Sequence, residues 1–392
     1  MAASKMGLKD IIKYECSYMF RENPKLAIIL LGLPILYSLL FGLAYNGNIV
    51  KNIPTLIYDQ DQSSASFAFI RSFADSERYN IVAQVTSQEI MEETLHHGDA
   101  ILAVVIPPNF SQDIKLGRSS QVLITINSAN LMFSNAILGS VQEIVQTVSA
   151  GIGQKSLEGL SQLPSQALSG VSPIRLAVRV LHNPTFSYSN FMLVGLGANG
   201  LQIAIMIAIC TILAREFSNL SPWRNTSPLT FIMGKLLPYW LCSMVSFIIS
   251  LYITIALFQV PFRGDIGSLL LIGSTFTFTI ITVGLFYSAI APTTVYAVQL
   301  PMLYIMPSYL FSGYSWPTLA MNDFSRTFSA FLPITYAADS IRDILLAGYS
   351  PSLLTNIAIL LIFSLVFLSL SILIFSLRRK KLLQSLNPEV SL

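Results

Sequence analysis

Long runs without charge alternate along this chain with shorter polar segments. Six runs, 26–44, 187–213, 232–258, 267–290, 295–311 and 351–377, are apolar over about the length that crosses a bilayer as a helix. Pro34 is expected to kink the first, and Pro301 and Pro307 break the fifth; packed neighbours tolerate such breaks in a membrane. Gly195, Gly197 and Gly200 give the second run a small-residue face for close helix contact. Gln202 lies deep in that run and should face protein or a cavity, and Gln299 lies at depth in the fifth. A cleaved signal peptide competes for 26–44. That run is long for a signal core and no A-x-A site follows, so it reads as an uncleaved anchor, 26–45, with its N-terminus inside.

The segment 46–186 has a different rhythm. Strand patterns at 54–59, 80–85, 100–106 and 121–127 alternate with helix patterns at 63–76, 87–97 and 109–116, which predicts an α/β layer with a mixed or parallel sheet. From 130 to 179 the pattern turns helical: Ile137, Val141, Ile144 and Val148 share a face, and Gly151 and Gly153 are expected to interrupt it. Asp59-x-Asp61 suits a tight turn and a helix cap, two carboxylates being too few for a divalent-cation site. His96 and His97 are adjacent on a helix, point apart, and read as a solvated helix end.

Residues 1–25 mix both charges, with Ile11, Ile12, Tyr14 and Tyr18 at helical spacing, and predict an amphipathic helix on the inner membrane surface; a solvated tail is the alternative. Segment 312–348 holds two moderately apolar pieces, 317–332 and 334–346. They read as interfacial or re-entrant helices on the outer face, with Tyr314, Trp316, Tyr336 and Tyr349 in the interface belt. The basic run 378–381 stops the last span and places the tail, 378–392, inside.

Composition agrees. Of 392 residues 53% are hydrophobic and only 11% charged, against about 25% in soluble domains. The net charge of +3 is too small to imply nucleic acid. Cys16, Cys210 and Cys242 all fall in or near the apolar runs, so no disulfide is expected in the polar domain. The sequence has no G-x-x-x-x-G-K-[ST] phosphate loop, the run 149–156 lacking the spacing, and no H-E-x-x-H or G-x-S-x-G motif. No carboxylate lies deep in a span, as an ion-coupled carrier would usually need.

The polar island 213–239, LAREFSNLSPWRNTSPLTFIMGKLLPY, carries a resemblance. Arg215-Glu216, Ser227-Pro228, Gly234-Lys235 and Pro238-Tyr239 are similar in order to the type-2 permeases of ATP-binding-cassette (ABC) exporters. FSNLSPWRN stands where that family has more acidic residues and a Gly-Thr pair. YDQDQSSASFAFIRSF resembles the D-x-D-x-S-x-x-S block of the drug-exporter-like branch with a large extracytoplasmic domain after the first span, through Asp59, Asp61, Ser63 and Ser66. The stretch 98–130 resembles its next block. SGYSWP and FLPITYAADSIRDILLAG are similar to its C-terminal signature through Ser312, Gly313, Pro317, Pro333, Thr335, Tyr336, Arg342 and Gly348.

The resemblance implies a multi-pass α-helical membrane protein with six transmembrane helices, five of them in 187–377, and an inserted α/β extracytoplasmic domain. It implies a non-enzymatic permease subunit that exports drugs or other amphiphiles. ATP and magnesium would sit on a separate ABC ATPase, with no cofactor on this chain. The implied setting is the bacterial inner membrane, both termini cytoplasmic. A second permease subunit, identical or paralogous, a periplasmic adaptor and lipid are the other implied partners. The ATPase would dock on the coupling loop 214–231, through Arg215, Glu216, Trp223, Arg224, Pro228, Gly234 and Lys235. Arg-Glu at a helix end also serves as a simple interfacial anchor. Two other functions fit parts of the pattern: a non-transporting receptor or scaffold acting through its outer domain, and an ion-coupled secondary transporter.

Overall fold

The computed structural model describes residues 7–45, 50–116, 118–128, 131–158, 181–183, 187–217 and 226–386. They fall into two compact units, 49–179 and the remainder, 1–48 with 180–392.

In the unit 49–179 the apolar strands pair at the centre. β1 (Ile53–Asp59) lies between β2 (Tyr79–Gln84) and β3 (Leu102–Ile106), parallel to both, and β4 (Leu123–Ile126) runs antiparallel along β3. Alternate side chains leave opposite faces of a strand, so both faces of the central strands need cover. Ile53, Ile57, Leu102 and Val104 pack with residues of α3 (Ser64–Ala74), α5 (Phe110–Lys115) and α6 (Leu131–Glu158). Leu56 and Ala103 pack with Met91 and Leu95 of α4 (Gln88–His97). α6 runs on through Gly151 and Gly153, contrary to the expected interruption. A helical glycine costs about 1 kcal/mol against alanine but breaks no hydrogen bond. The predicted segment 159–179 lies outside the described residues.

The second unit is helical. α1 (Leu8–Ser17) passes through a π-helical turn, Tyr18–Glu22, into α2 (Pro24–Ala44). After the sheet unit come α7 (Tyr188–Ile209), α8 (Ile212–Glu216), α9 (Pro228–Ala256), α10 (Ile266–Ile290), α11 (Thr294–Phe311), α12 (Asp323–Ala330), α13 (Pro333–Ala347) and α14 (Leu353–Leu386). Among the described residues five helical segments are long and apolar enough to cross a membrane: Pro24–Ala44, Tyr188–Glu216, Pro228–Ala256, Ile266–Ile290 and Leu353–Gln384. The 18-residue α11, with Pro301 and Pro307 inside it, is not one of them.

Small residues set the spacing here. A Cβ on Gly200 would lie 2.7 Å from the Tyr37 ring, and one on Gly195 2.5 Å from that of Tyr314. Gln202 is fully buried and donates to Ser308 Oγ at 2.8 Å, whereas Gln299 is exposed on α11. Tyr314 is no belt residue: it is buried, its hydroxyl donating to the Phe191 carbonyl. α13 buries one face against its neighbours. Ile334, Ala337, Ala338, Ile341 and Leu345 are buried, and it packs on α7, α10 and α14. It stops at Gly348, whose φ of +91° is a left-handed conformation that suits glycine.

Two helix ends are completed by side chains from other helices, and one of them departs from the sequence reading. The second apolar run breaks at Cys210–Thr211, and Ser288 Oγ of α10 accepts from the Leu213 and Ala214 amides at 2.8 and 3.1 Å. A side chain from another helix thereby caps the restarted turn. Beyond the basic run 378–381, α14 continues as helix to Leu386. Arg378 Nη1 donates to the Ala289 and Ala291 carbonyls at 2.6 and 2.8 Å, closing the C-terminus of α10. Arg379 donates to the Thr226 carbonyl at 2.6 Å, just before α9.

Candidate functional site

Ile11, Glu15 and Met19 recur every fourth residue through α1 and the turn after it, and all three are fully buried. A carboxylate on an apolar stripe needs a partner. α9 supplies it. Pro228 opens α9 at its first turn, where a missing N–H costs nothing. One turn further on, Gly234 admits α1: a Cβ there would lie 2.7 Å from Ile11 Cγ2. The next residue, Lys235, and Tyr239 one turn on then meet Glu15.

The result is a buried, charge-balanced cluster. Lys235 Nζ donates to Glu15 Oε2 at 2.7 Å and to Glu216 Oε1 at 2.8 Å. Arg215 Nε donates to Glu216 Oε1 at 3.0 Å, and Arg215 Nη2 donates to Glu15 Oε1. The Tyr239 hydroxyl donates to Glu15 Oε1 at 3.1 Å. The Arg215 guanidinium also lies 3.6 Å from the centre of the Tyr18 ring. The Glu15 and Lys235 side chains have no exposure, Glu216 has 6% and Arg215 16%. Desolvating four charges is expensive, and only near-complete mutual pairing offsets it.

Three of the sequence-predicted residues, Arg215, Glu216 and Lys235, are therefore brought together, but they face one another and Glu15. Pro228 and Gly234 set the start and spacing of α9. Trp223 and Arg224 lie outside the described residues, in 218–225 between α8 and α9. Glu15 and Tyr239 belong to the site although the sequence reading gave them no part in it. The available signal was a lone acid at the i+4 position between Ile11 and Met19.

The Asp59-x-Asp61 turn works as a cap. Asp59 Oδ1 accepts from the Asp61 and Gln62 amides, both at 3.0 Å. Ser63 and Ser66 bond reciprocally at the start of α3. Asp61 Oδ2 accepts from the Ser111 amide at 3.1 Å, in the first turn of α5. Desolvation raises the Asp61 pKa, but hydrogen bonds from Ser63 and Ser111 prevail and hold it below the usual carboxylate value. Among the described residues no group of three or more His, Cys, Asp and Glu is placed to hold a metal.

Comparison with known proteins extends this picture. The model of the ABC-2 family transporter proteins matches residues 24–373. This chain belongs to the ABC-2 transporter family. Its relatives include the probable multidrug ABC transporter permeases YbhR and YbhS of Escherichia coli (strain K12), 25% identical over 354 residues and 22% over 364. Each alignment covers 89% of this chain and 92% of the relative. The inner membrane transport permease YhhJ of the same strain is 23% identical over 316 residues, 78% of this chain and 81% of the relative. This ABC-2 protein is thus an integral membrane permease subunit of an ABC transporter, and its family implies a partner ABC ATPase.

Proposed function

We propose that this permease is the membrane half of an ATP-driven exporter in the bacterial inner membrane. A separate ATPase, holding ATP and magnesium, would press on the segment between Glu216 and Pro228 from the cytoplasm. The observation that carries this is the Glu15–Arg215–Glu216–Lys235 cluster. It clamps both ends of that segment, together with α1, into one buried ionic knot. A push on the segment would then move α1, α8 and α9 as a body instead of bending a loose loop.

In this reading α11 is a sixth span, both termini are cytoplasmic, and the unit 49–179 is extracytoplasmic. Two permease subunits, identical or paralogous, face two ATPases, and a periplasmic adaptor can extend the path. The substrates are drugs or other amphiphiles; the names of YbhR and YbhS carry the word multidrug.

The test is reconstitution with the ABC ATPases of the same genome. Glu15→Gln keeps the shape of the side chain and removes its charge. It should leave ATPase binding intact while export per ATP hydrolysed falls about tenfold or more. Export unchanged in an inserted Glu15→Gln protein would overturn the role of the cluster. Failure of every ATPase of the same genome to bind would overturn the exporter itself.

A further inference from the structure

We propose that a cavity of about 250 Å³ between the Ser312–Thr318 turn, α13 and the start of α14 is a binding site for a primary ammonium group. The volume suits a headgroup better than a whole drug-sized molecule. The site stands apart from the ATPase-coupling cluster and does not depend on the direction of transport.

The argument rests on which hydrogen-bonding capacity the walls have left. Four of the six lining hydroxyls have already committed their protons to backbone carbonyls. Ser312 donates to Tyr309 O at 2.7 Å, Thr335 to Ser329 O at 3.0 Å and Tyr336 to Ala330 O at 2.9 Å, while Tyr314 donates to Phe191 O. What these groups still offer is lone pairs.

Asn356 makes the same point more sharply. It is 7% exposed, and its Nδ2 donates to the Tyr336 carbonyl at 3.1 Å, to Ser340 Oγ at 2.8 Å and to Ser352 Oγ at 3.1 Å. A carbonyl oxygen can only accept, so the bond to Tyr336 fixes which end of the amide is nitrogen. That leaves Asn356 Oδ1, in the cavity wall, with no hydrogen bond to any described residue. This oxygen is not sealed inside the protein, and it remains an acceptor that a donor entering the cavity can reach.

Charge points the same way. Asp339 lines the cavity, and it shares Arg342 with Asp343, at 3.0 Å from the latter. Two carboxylates on one guanidinium leave one negative charge in excess. A wall of acceptors with an unbalanced carboxylate selects a cation rich in N–H donors. An anion meets repulsion there. A neutral alcohol brings a single donor and no charge to offset the excess carboxylate.

The test is titration calorimetry of the purified full-length protein in neutral detergent at pH 7, with three probes of similar size. Benzylammonium should bind saturably. Benzyltrimethylammonium, which carries the charge without N–H groups, should bind about tenfold more weakly, and benzyl alcohol should not saturate. Asp339→Asn should weaken benzylammonium binding at least about tenfold. Asn356→Leu should do the same, but it also removes bonds within the helical unit, so the three probes on the unaltered protein decide. Equal heats from all three probes, or an affinity untouched by Asp339→Asn, would overturn the assignment.

Discussion

Among the described residues the helical unit contains two networks of carboxylates and basic side chains, and they serve opposite ends. Glu15, Arg215, Glu216 and Lys235 balance charge for charge and are shut away, the most exposed side chain, Arg215, at 16%. Asp339, Arg342 and Asp343 are unbalanced by one carboxylate and open to solvent, Asp339 at 47%. A closed, neutral network holds helices in one arrangement, because any opening strands a charge in an apolar surrounding. An open, charged one contributes little to holding the fold and keeps capacity for something else. Burial and balance, more than the presence of ion pairs, separate a clamp from a receptor.

The comparison breaks first at Lys235. Lys235→Met removes one cation and leaves Glu15 and Glu216 competing for Arg215. We expect a loss of about 3–5 kcal/mol, read by chemical unfolding in detergent. Adding Glu15→Gln restores neutrality, and the double variant should recover at least about 1 kcal/mol of that loss. Strict additivity would mean that the two side chains do not interact. Gly234→Ala tests the approach of α1 to α9 without touching charge. Overpacking against Ile11 should cost about 1–3 kcal/mol, and Ile11→Ala in the same protein should relieve part of it.

The open network should respond far less. Arg342→Gln is expected to cost about 1 kcal/mol or less, with a loss that shrinks further in high salt. It should also tighten benzylammonium binding by unmasking Asp339. A loss as large as that of Lys235→Met would erase the distinction between the two networks. The smallest effect is expected at Asp61. Its pKa is lowered in the fold, so its contribution is complete above the ordinary carboxylate value and is lost as pH falls through the lowered one. Protection of the Ser111 amide from hydrogen exchange should therefore decline only below about pH 4. In Asp61→Asn it should be lower at neutral pH and insensitive to that change.

How much of this was legible in the chain follows from the range of the interactions. The strand and helix alternation from Ile53 to Ile126 is written in local periodicity, and the elements appear where the pattern put them. Gln202 was expected to face protein or a cavity, because a mid-span amide avoids lipid, and it faces protein, donating to Ser308. Arg215, Glu216 and Lys235 stood out as charges beside apolar runs, but their partner Glu15 lies 200 residues from Arg215 in sequence. Nothing local couples positions so far apart. The continuity of α6 past its glycines was misread for a simpler reason: each glycine was weighed as a breaker without the packing around it. The ammonium cavity was invisible in the sequence. It depends on which protons the hydroxyls give away, and those assignments exist only once α13 lies folded against its neighbours.

Arg378 has a bearing on how the molecule is made. The carbonyls it closes at the end of α10 are translated up to 89 residues before it. Until α14 leaves the ribosome, the nascent chain carries an unfinished helix end and a loosely held entrance to α9. A later-synthesised helix thus locks earlier ones in place, and nascent bundles lacking it should be the forms that membrane quality-control proteases find.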